Sequence, residues 1–418
     1  MRVLYISYFY PPLGGPAVLR NVKTVKYLAE SGISCDVITV RDIEYLYRDE
    51  SLLAECREDK LIRTDSWDPM ALLKKSQTAT AKGSSRLYLN TPEKIKLLVR
   101  RMYPIDNKIG WVPHLVKAGR KAIAEKDYDL IYVSLGPFSS ALGAYKLSKE
   151  SGISLAIDLR DYWNLLSDYE LQGSILHRKF SRHWEEKVYR HSKLIVTATR
   201  GIGEDAASAY GSDLAAKMIT IYNGWDEADF ADLPAAPKST GYTLAYFGNI
   251  YARRSFQHLY RAVRRLKEEN AVPENTRVRL FGNFFKETLD EIAGSGIAGM
   301  IETIPQLTHR GALREMLASD ALLLAINSSS PRGTLTSKIF EYLRTQKPIL
   351  AMVPAQNEAA ALLRKCGQEN LCAMESAESI YQCLKNLINT GHKDYSIPWE
   401  LERKNQVGIL AEKLKSLG

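Results

Sequence analysis

No stretch of this sequence approaches the roughly 18 consecutive apolar residues that a bilayer-spanning helix requires, so any membrane contact is expected to be peripheral. Cysteine is scarce and scattered. The five residues, Cys35, Cys56, Cys366, Cys372 and Cys383, are odd in number and include no CxxC pair, which argues against a disulfide framework and against a thiolate zinc site. Low-complexity tracts and short-period repeats are also missing, which disfavours solenoids and propellers. Acidic residues are outnumbered, 48 against 57 Lys and Arg, leaving a formal net charge of +9. Such a surplus favours nucleotide phosphates, anionic lipid headgroups or nucleic acid as partners. Because no interleaved aromatic and basic patch of the RNA-binding kind is visible, nucleic acid is not expected among them.

What is present reads as a globular chain too long for one core. Cores stop growing near about 250–300 residues, and this chain has 418, with 45% hydrophobic and 25% charged residues. It opens on a β-type run, Val3-Leu4-Tyr5-Ile6-Ser7, rather than on a basic region with an apolar stretch and cleavage site, so a cytoplasmic location is expected. A Pro/Gly loop over 8–16 follows, then an apolar helical stripe at Leu19, Val22, Val25, Tyr27 and Leu28 ending at Gly32, and a second strand over 35–40. Recurrent units of this kind predict strands over 130–134, 155–159 and 194–198, and, after an Asp/Ala/Pro-rich stretch, over 243–247, 277–281, 321–326 and 348–353. The fold class is therefore α/β, with two doubly wound, Rossmann-like domains. The first is expected over 1–228, a linker over 229–242 and the second over 243–395, with a helix within 396–418 packing back on the first.

Four clusters carry candidate chemistry. Gly14 and Gly15, in Tyr10-Pro11-Pro12-Leu13-Gly14-Gly15-Pro16, sit where the first strand hands over to a helix, and paired glycines let backbone approach a ligand; the pattern is neither GxGxxG nor a P-loop. Ile157-Asp158-Leu159-Arg160-Asp161-Tyr162-Trp163 crowds carboxylates, a guanidinium and an aromatic at a strand end, suited to polar ligands or to an Asp–Arg pair. Gly248 and Asn249 follow a strand, with Arg253 and Arg254 offering guanidinium forks to a diphosphate. In the run 333–343, Thr336 or Ser337 is expected to cap a helix whose amides face a phosphate, with Lys338 adding charge and Glu341 one turn deeper on the same face, placed for ribose hydroxyls.

At these residues the chain resembles the glycosyltransferase group 1 family of bacterial capsule, O-antigen and exopolysaccharide synthesis. The likeness runs over nearly the whole chain: PPLGG after the opening strand, IDLRDYW, ITIYNGWDEADF, FGNIYARRS and SKIFEYLRTQKPIL. It implies a GT-B fold, two Rossmann-like domains facing across a cleft, donor on the second and acceptor on the first. It implies transfer of a sugar from a nucleotide diphosphate donor to a glycan or lipid-linked acceptor, usually with retention. By position, Gly14, Gly15, Gly248, Asn249, Arg254, Thr334, Leu335, Thr336, Lys338 and Glu341 would bind the donor, Arg160, Asp161 and Trp163 the acceptor, and Arg254, Lys338 and Asp161 would serve catalysis. Arg254 takes the place of the family's phosphate-binding lysine, and Gly333 stands where the family's E-x7-E motif has its first Glu. No DxD motif lies near the donor loops, so no cofactor and no metal are expected. The rival expectations are a sugar-nucleotide epimerase of the same fold and a non-catalytic carbohydrate-binding protein.

Charge placement adds a peripheral encounter with an anionic membrane at the inner face. Residues 91–126 hold nine Lys/Arg against three acids, and residues 177–193 six against two, with Trp184 suited to headgroup depth.

Overall fold

Parallel strands covered on both faces need no polar alternation, and the apolar runs anticipated above take that form. A computed structural model describes residues 1–41, 43, 45, 48–68, 103–165, 174–235, 240–250, 255–390, 393 and 395–417. The chain divides into two compact units, one of residues 1–223 with 403–418, the other of residues 224–402.

In the first unit, β1 (Arg2–Ile6), β2 (Ser34–Val40), β3 (Lys60–Thr64), β4 (Leu130–Leu135), β5 (Ser154–Leu159), β6 (Leu194–Thr197) and β7 (Met218–Thr220) pair in parallel in the order β3-β2-β1-β4-β5-β6-β7. Tyr5 of β1 lies opposite Val37 on one side and Tyr132 on the other. The chain winds outward from β1 to β3, then returns to lay β4 against β1. Open parallel sheets take ligands beyond the carboxyl ends of the strands at such a reversal, here β1 and β4. The helix Pro16–Glu30 starts on a proline just after Gly15 and buries Val18, Val22, Val25 and Leu28. The helix Arg403–Lys415 sends Val407, Leu410 and Leu414 into the cluster that holds Val22, Val25 and Leu28, so the last helix is part of the first unit's core. Each fully buried side chain of this size stabilises by about 1.5–3 kcal/mol.

In the second unit, β8 (Thr243–Phe247), β9 (Arg277–Phe281), β10 (Ile301–Ile304), β11 (Ala321–Ala325), β12 (Ile349–Met352) and β13 (Leu371–Cys372) pair in parallel in the order β10-β9-β8-β11-β12-β13. The reversal here falls between β8 and β11. The division at 223/224 precedes the boundary read at 228. Residues 229 and 230, expected in a linker, belong to the short helix Glu227–Phe230, and 236–239 lie outside the described residues. Among the described residues no helix is long and apolar enough to cross a membrane.

Candidate functional site

The second unit gathers its polar groups at the carboxyl end of β8. Gly248 turns at φ 142°, a conformation that favours glycine, and a β-carbon there would meet the Lys338 ammonium and displace it. The ammonium donates to the Phe247 carbonyl and lies 4.3 Å from the centre of the Tyr246 ring. Asn249 braces the neighbouring loop by accepting from Asn283 N at 3.0 Å. Arg254 lies outside the described residues.

Thr334, Leu335 and Thr336 occupy the loop that enters the helix Lys338–Arg344. The hydroxyls of Thr334 and Thr336 are buried and have no hydrogen-bond partner among the described residues. Ser337 holds the N-cap position but its side chain makes no capping bond, so the cap expected from Thr336 or Ser337 is not formed. One turn in, Glu341 Oε1 sits 2.7 Å from His309 Nε2, and His309 Nδ1 is 3.7 Å from Asp229 Oδ2. At the far end of the same helix Arg344 grips Glu227 with two bonds of 2.5 and 2.6 Å, and these hold the Glu227 carboxyl below its usual range.

In the first unit, Gly14 is pressed against the Asp49 backbone: a β-carbon would reach Asp49 Cβ at 3.2 Å. Gly15, at φ 97°, starts the helix Pro16–Glu30 with no side-chain cap. Asp161 is exposed just beyond β5, with Oδ1 accepting from Tyr162 N at 3.0 Å. Arg160 is committed to the chain itself: Nε donates to Leu135 O at 2.9 Å and Nη2 to Gly136 O, which ties the end of β5 to the loop after β4.

One expectation at this strand end is corrected, and of the alternatives left open for Asp158 the Asp–Arg pair is the one present. Trp163 cannot stack on an acceptor sugar, because it is fully buried, stacked on Phe138 at 5.4 Å, with Nε1 donating to Ser181 Oγ at 3.1 Å. Asp158 is equally out of reach: its two oxygens accept from Arg20 Nη2 at 2.7 Å and Nε at 2.8 Å in a buried pair. The structure thus brings Gly248 and Lys338 together, with Glu341 on the same helix, and it leaves Asp161 as the accessible carboxylate of the IDLRDYW segment. Sequence reasoning missed His309, Asp229 and Arg20, each set against its partner by chain far removed in sequence, with no local pattern to mark it.

No protein-family model and no curated protein matches the sequence. Solved structures do match in shape along the full chain. The UDP-GlcNAc 2-epimerase of Neisseria meningitidis, solved with UDP-GlcNAc, superposes with a TM-score of 0.60 at 12% identity, over 100% of both chains. The lipopolysaccharide outer core galactosyltransferase WaaB gives 0.59 at 14%, over 99% of this chain and 100% of its own. Anabaena Alr3699/HepE, solved with UDP-glucose, gives 0.58 at 14%, over 100% of this chain and 97% of its own. The chain has the GT-B fold. In a GT-B protein each Rossmann-like unit carries its own parallel sheet; here the loops of Gly14 and Gly15, of Gly248 and of residues 334–337 follow β1, β8 and β11, strands at the two reversals, and that of Arg160 and Asp161 follows β5, next to β4.

Proposed function

We propose that the chain is a glycosyltransferase that moves a sugar from a nucleoside diphosphate donor to a glycan or lipid-linked acceptor in cell-surface polysaccharide synthesis, with retention and without a metal. One observation carries this reading: a lysine ammonium, a glycine turn and two unpartnered buried hydroxyls lie on the two loops that flank the β8–β11 side of the second sheet. Those are groups suited to a diphosphate rather than to an uncharged ligand. Lys338, Arg254 and the amides near Leu335 and Thr336 stabilise charge on the departing diphosphate, Glu341 takes the ribose, and Asp161 orients the acceptor hydroxyl. Catalysis of this kind lies in binding the charged transition state more tightly than the substrate.

The rival, a GT-B sugar-nucleotide epimerase, needs two acid–base groups at the sugar. The IDLRDYW segment offers two carboxylates for that, Asp158 and Asp161, and Asp158 is buried against Arg20. Incubation with a panel of nucleotide sugars separates the readings: sugar altered without acceptor means an epimerase, diphosphate released only with acceptor means a transferase, and neither means a carbohydrate-binding protein. UDP is the first nucleotide to try, since the similar structures include complexes with UDP-glucose and UDP-GlcNAc. Glu341→Ala is expected to weaken nucleotide binding by about 1–3 kcal/mol, the scale of hydrogen bonds to a charged group. Unchanged affinity in calorimetry removes Glu341 from the site.

We also propose a peripheral contact with an anionic membrane through the helix Ile175–His191, from the cytoplasmic side. Its amino-terminal turns expose Ile175, Leu176 and Phe180 among Arg178, Lys179 and Arg182. Trp184, expected at headgroup depth, is instead half-buried against Tyr145 with Lys187 above it, so the contact rests on the earlier turns. The other basic stretch is described only from 103 on, since 91–102 lie outside the described residues. Sedimentation with vesicles should rise with anionic lipid and collapse at high salt; indifference to lipid charge at low salt refutes it.

A further inference from the structure

Glu341 meets a histidine between two carboxylates. Three separate helices deliver the groups: Asp229 from Glu227–Phe230, His309 from the first position of His309–Ala318, and Glu341 from Lys338–Arg344. Both partner helices have their starts fixed. Thr308 caps the histidine's helix by accepting from Gly311 N at 3.3 Å, and Asp226 caps the other by accepting from Ala228 N at 3.0 Å. The three side chains keep only 14%, 15% and 10% of their surface for His309, Glu341 and Asp229 respectively.

Two acceptors thus flank the two ring nitrogens. A neutral imidazole has one N–H, so whichever nitrogen lacks it turns a lone pair toward a carboxylate. Nε2 is within hydrogen-bond distance of Glu341 and Nδ1 is in ion-pair range of Asp229, so only the imidazolium carries a charge that both carboxylates attract. The other charged groups on these helices do not replace it: on the histidine's own helix Glu315 accepts from Arg279 at 2.7 Å, with Arg314 at 3.8 Å from the same carboxylate. Glu227 and Arg344 satisfy each other, Asp226 is used as a cap, and Arg310 reaches the carbonyls of Ala231 and Asp232 at 3.2 and 3.4 Å. Lys338 is drawn to Phe247 O.

We propose that His309 is a positioning residue of the nucleotide site: anchored on Asp229 as the imidazolium, it holds one oxygen of Glu341 and leaves the other to accept from the ribose, so that nucleotide affinity falls as the ring loses its proton. The inference rests on the reading of Glu341 as the ribose-binding group. It adds to that reading a pH dependence brought by the imidazole ring.

The test is calorimetric binding of whichever of UDP, GDP and ADP binds most tightly, from about pH 5.5 to 8.5, to the full chain and to His309→Gln, Asp229→Asn and Glu341→Ala. The Gln side chain donates to Glu341 at every pH without titrating, so its profile carries the nucleotide's own phosphate ionisation and nothing from the ring. Relative to it, the parent should lose about tenfold in affinity between the acid and alkaline ends, the worth of one charge-assisted bond. Asp229→Asn should move that fall to lower pH, because the imidazolium has lost a carboxylate. Superimposable profiles for the parent and His309→Gln overturn the proposal, even if His309→Ala melts earlier. If Glu341→Ala binds as tightly as the parent, the reading of the nucleotide site falls first, and the two failures are told apart.

Discussion

Asp158→Ala should unfold the first unit at a stability about 3–5 kcal/mol below the parent, the loss expected when one member of a buried ion pair is removed. The pair is closed on every side. Side-chain exposure is 4% for Arg20 and 0% for Asp158, and the remaining Arg20 nitrogen donates to Ile221 O at 3.0 Å and Asn223 Oδ1 at 3.1 Å. Burial alone pulls the Arg20 guanidinium toward losing its proton, yet the Asp158 carboxylate more than offsets it and leaves that pKa above the ordinary value. Arg160 lies close enough to feel both charges: burial lowers its pKa, Asp158 opposes that shift and Arg20 adds to it. Deleting Asp158 therefore leaves two neighbouring guanidinia in a dry site with no carboxylate between them. Denaturant unfolding of the full chain measures the loss, and Arg20→Met with Asp158→Leu should recover most of it, since an apolar pair of similar volume removes the uncompensated charge. Nucleotide affinity, assigned to the second unit, should be unchanged in the single variant. If Asp158→Ala unfolds with the parent, the Arg20–Asp158 pair does not hold the unit.

The contrast between Asp158 and Asp161 shows what the sequence made legible. Strand β5 and its polar end were readable because a strand buried on both faces appears as an apolar run, and the same holds for β1, β4, β8, β11 and β12. The pieces that went unread, β3, β7, β10 and β13, form or neighbour the sheet edges, where KLIRT and IETI are half-exposed and MIT and LC are too short to make a run. At the strand end, residue type suggested chemistry but not direction. Alternation along β5 cannot say that Asp158 turns inward to a helix begun 142 residues earlier, nor that the chain folds Trp163 back on Phe138. Local patterns located the loops; contacts between distant segments decided which side chains in them are free to act.

His309 belongs to the same lesson on the other unit. The i, i+3 spacing put Lys338 and Glu341 on one helix face, and the structure keeps them there. What spacing could not supply is the partner of each, a carbonyl and a ring for the lysine, an imidazole for the glutamate.

Replacing Lys338 by Met is expected to lower kcat/KM for sugar transfer by about 100- to 1,000-fold, the range seen when one preorganised donor to a developing oxyanion is deleted. The ammonium is half-buried, held by the Phe247 carbonyl and the face of Tyr246, with Gly248 beside it in place of a side chain. A cation so placed has already given up much of its water, so in the proposed transfer it would meet the charge of a departing diphosphate with little reorganisation. The loss should appear mainly in kcat, because charge on the leaving group grows as the sugar bond breaks. A variant that raises KM and spares kcat would show uniform binding of donor and transition state instead, and would remove Lys338 from the chemical step. Lys338→Arg should rescue little. Its planar fork is wider and longer than an ammonium and cannot place a single compact charge between the Phe247 carbonyl and the Tyr246 ring as lysine does. Gly248→Ala tests the same space from the other side: it forces a strained φ and pushes Nζ off its carbonyl, so it should lose transfer in parallel with Lys338→Met. If Gly248→Ala transfers at the parental rate while folded by circular dichroism, the close fit of lysine and turn is not what catalysis uses.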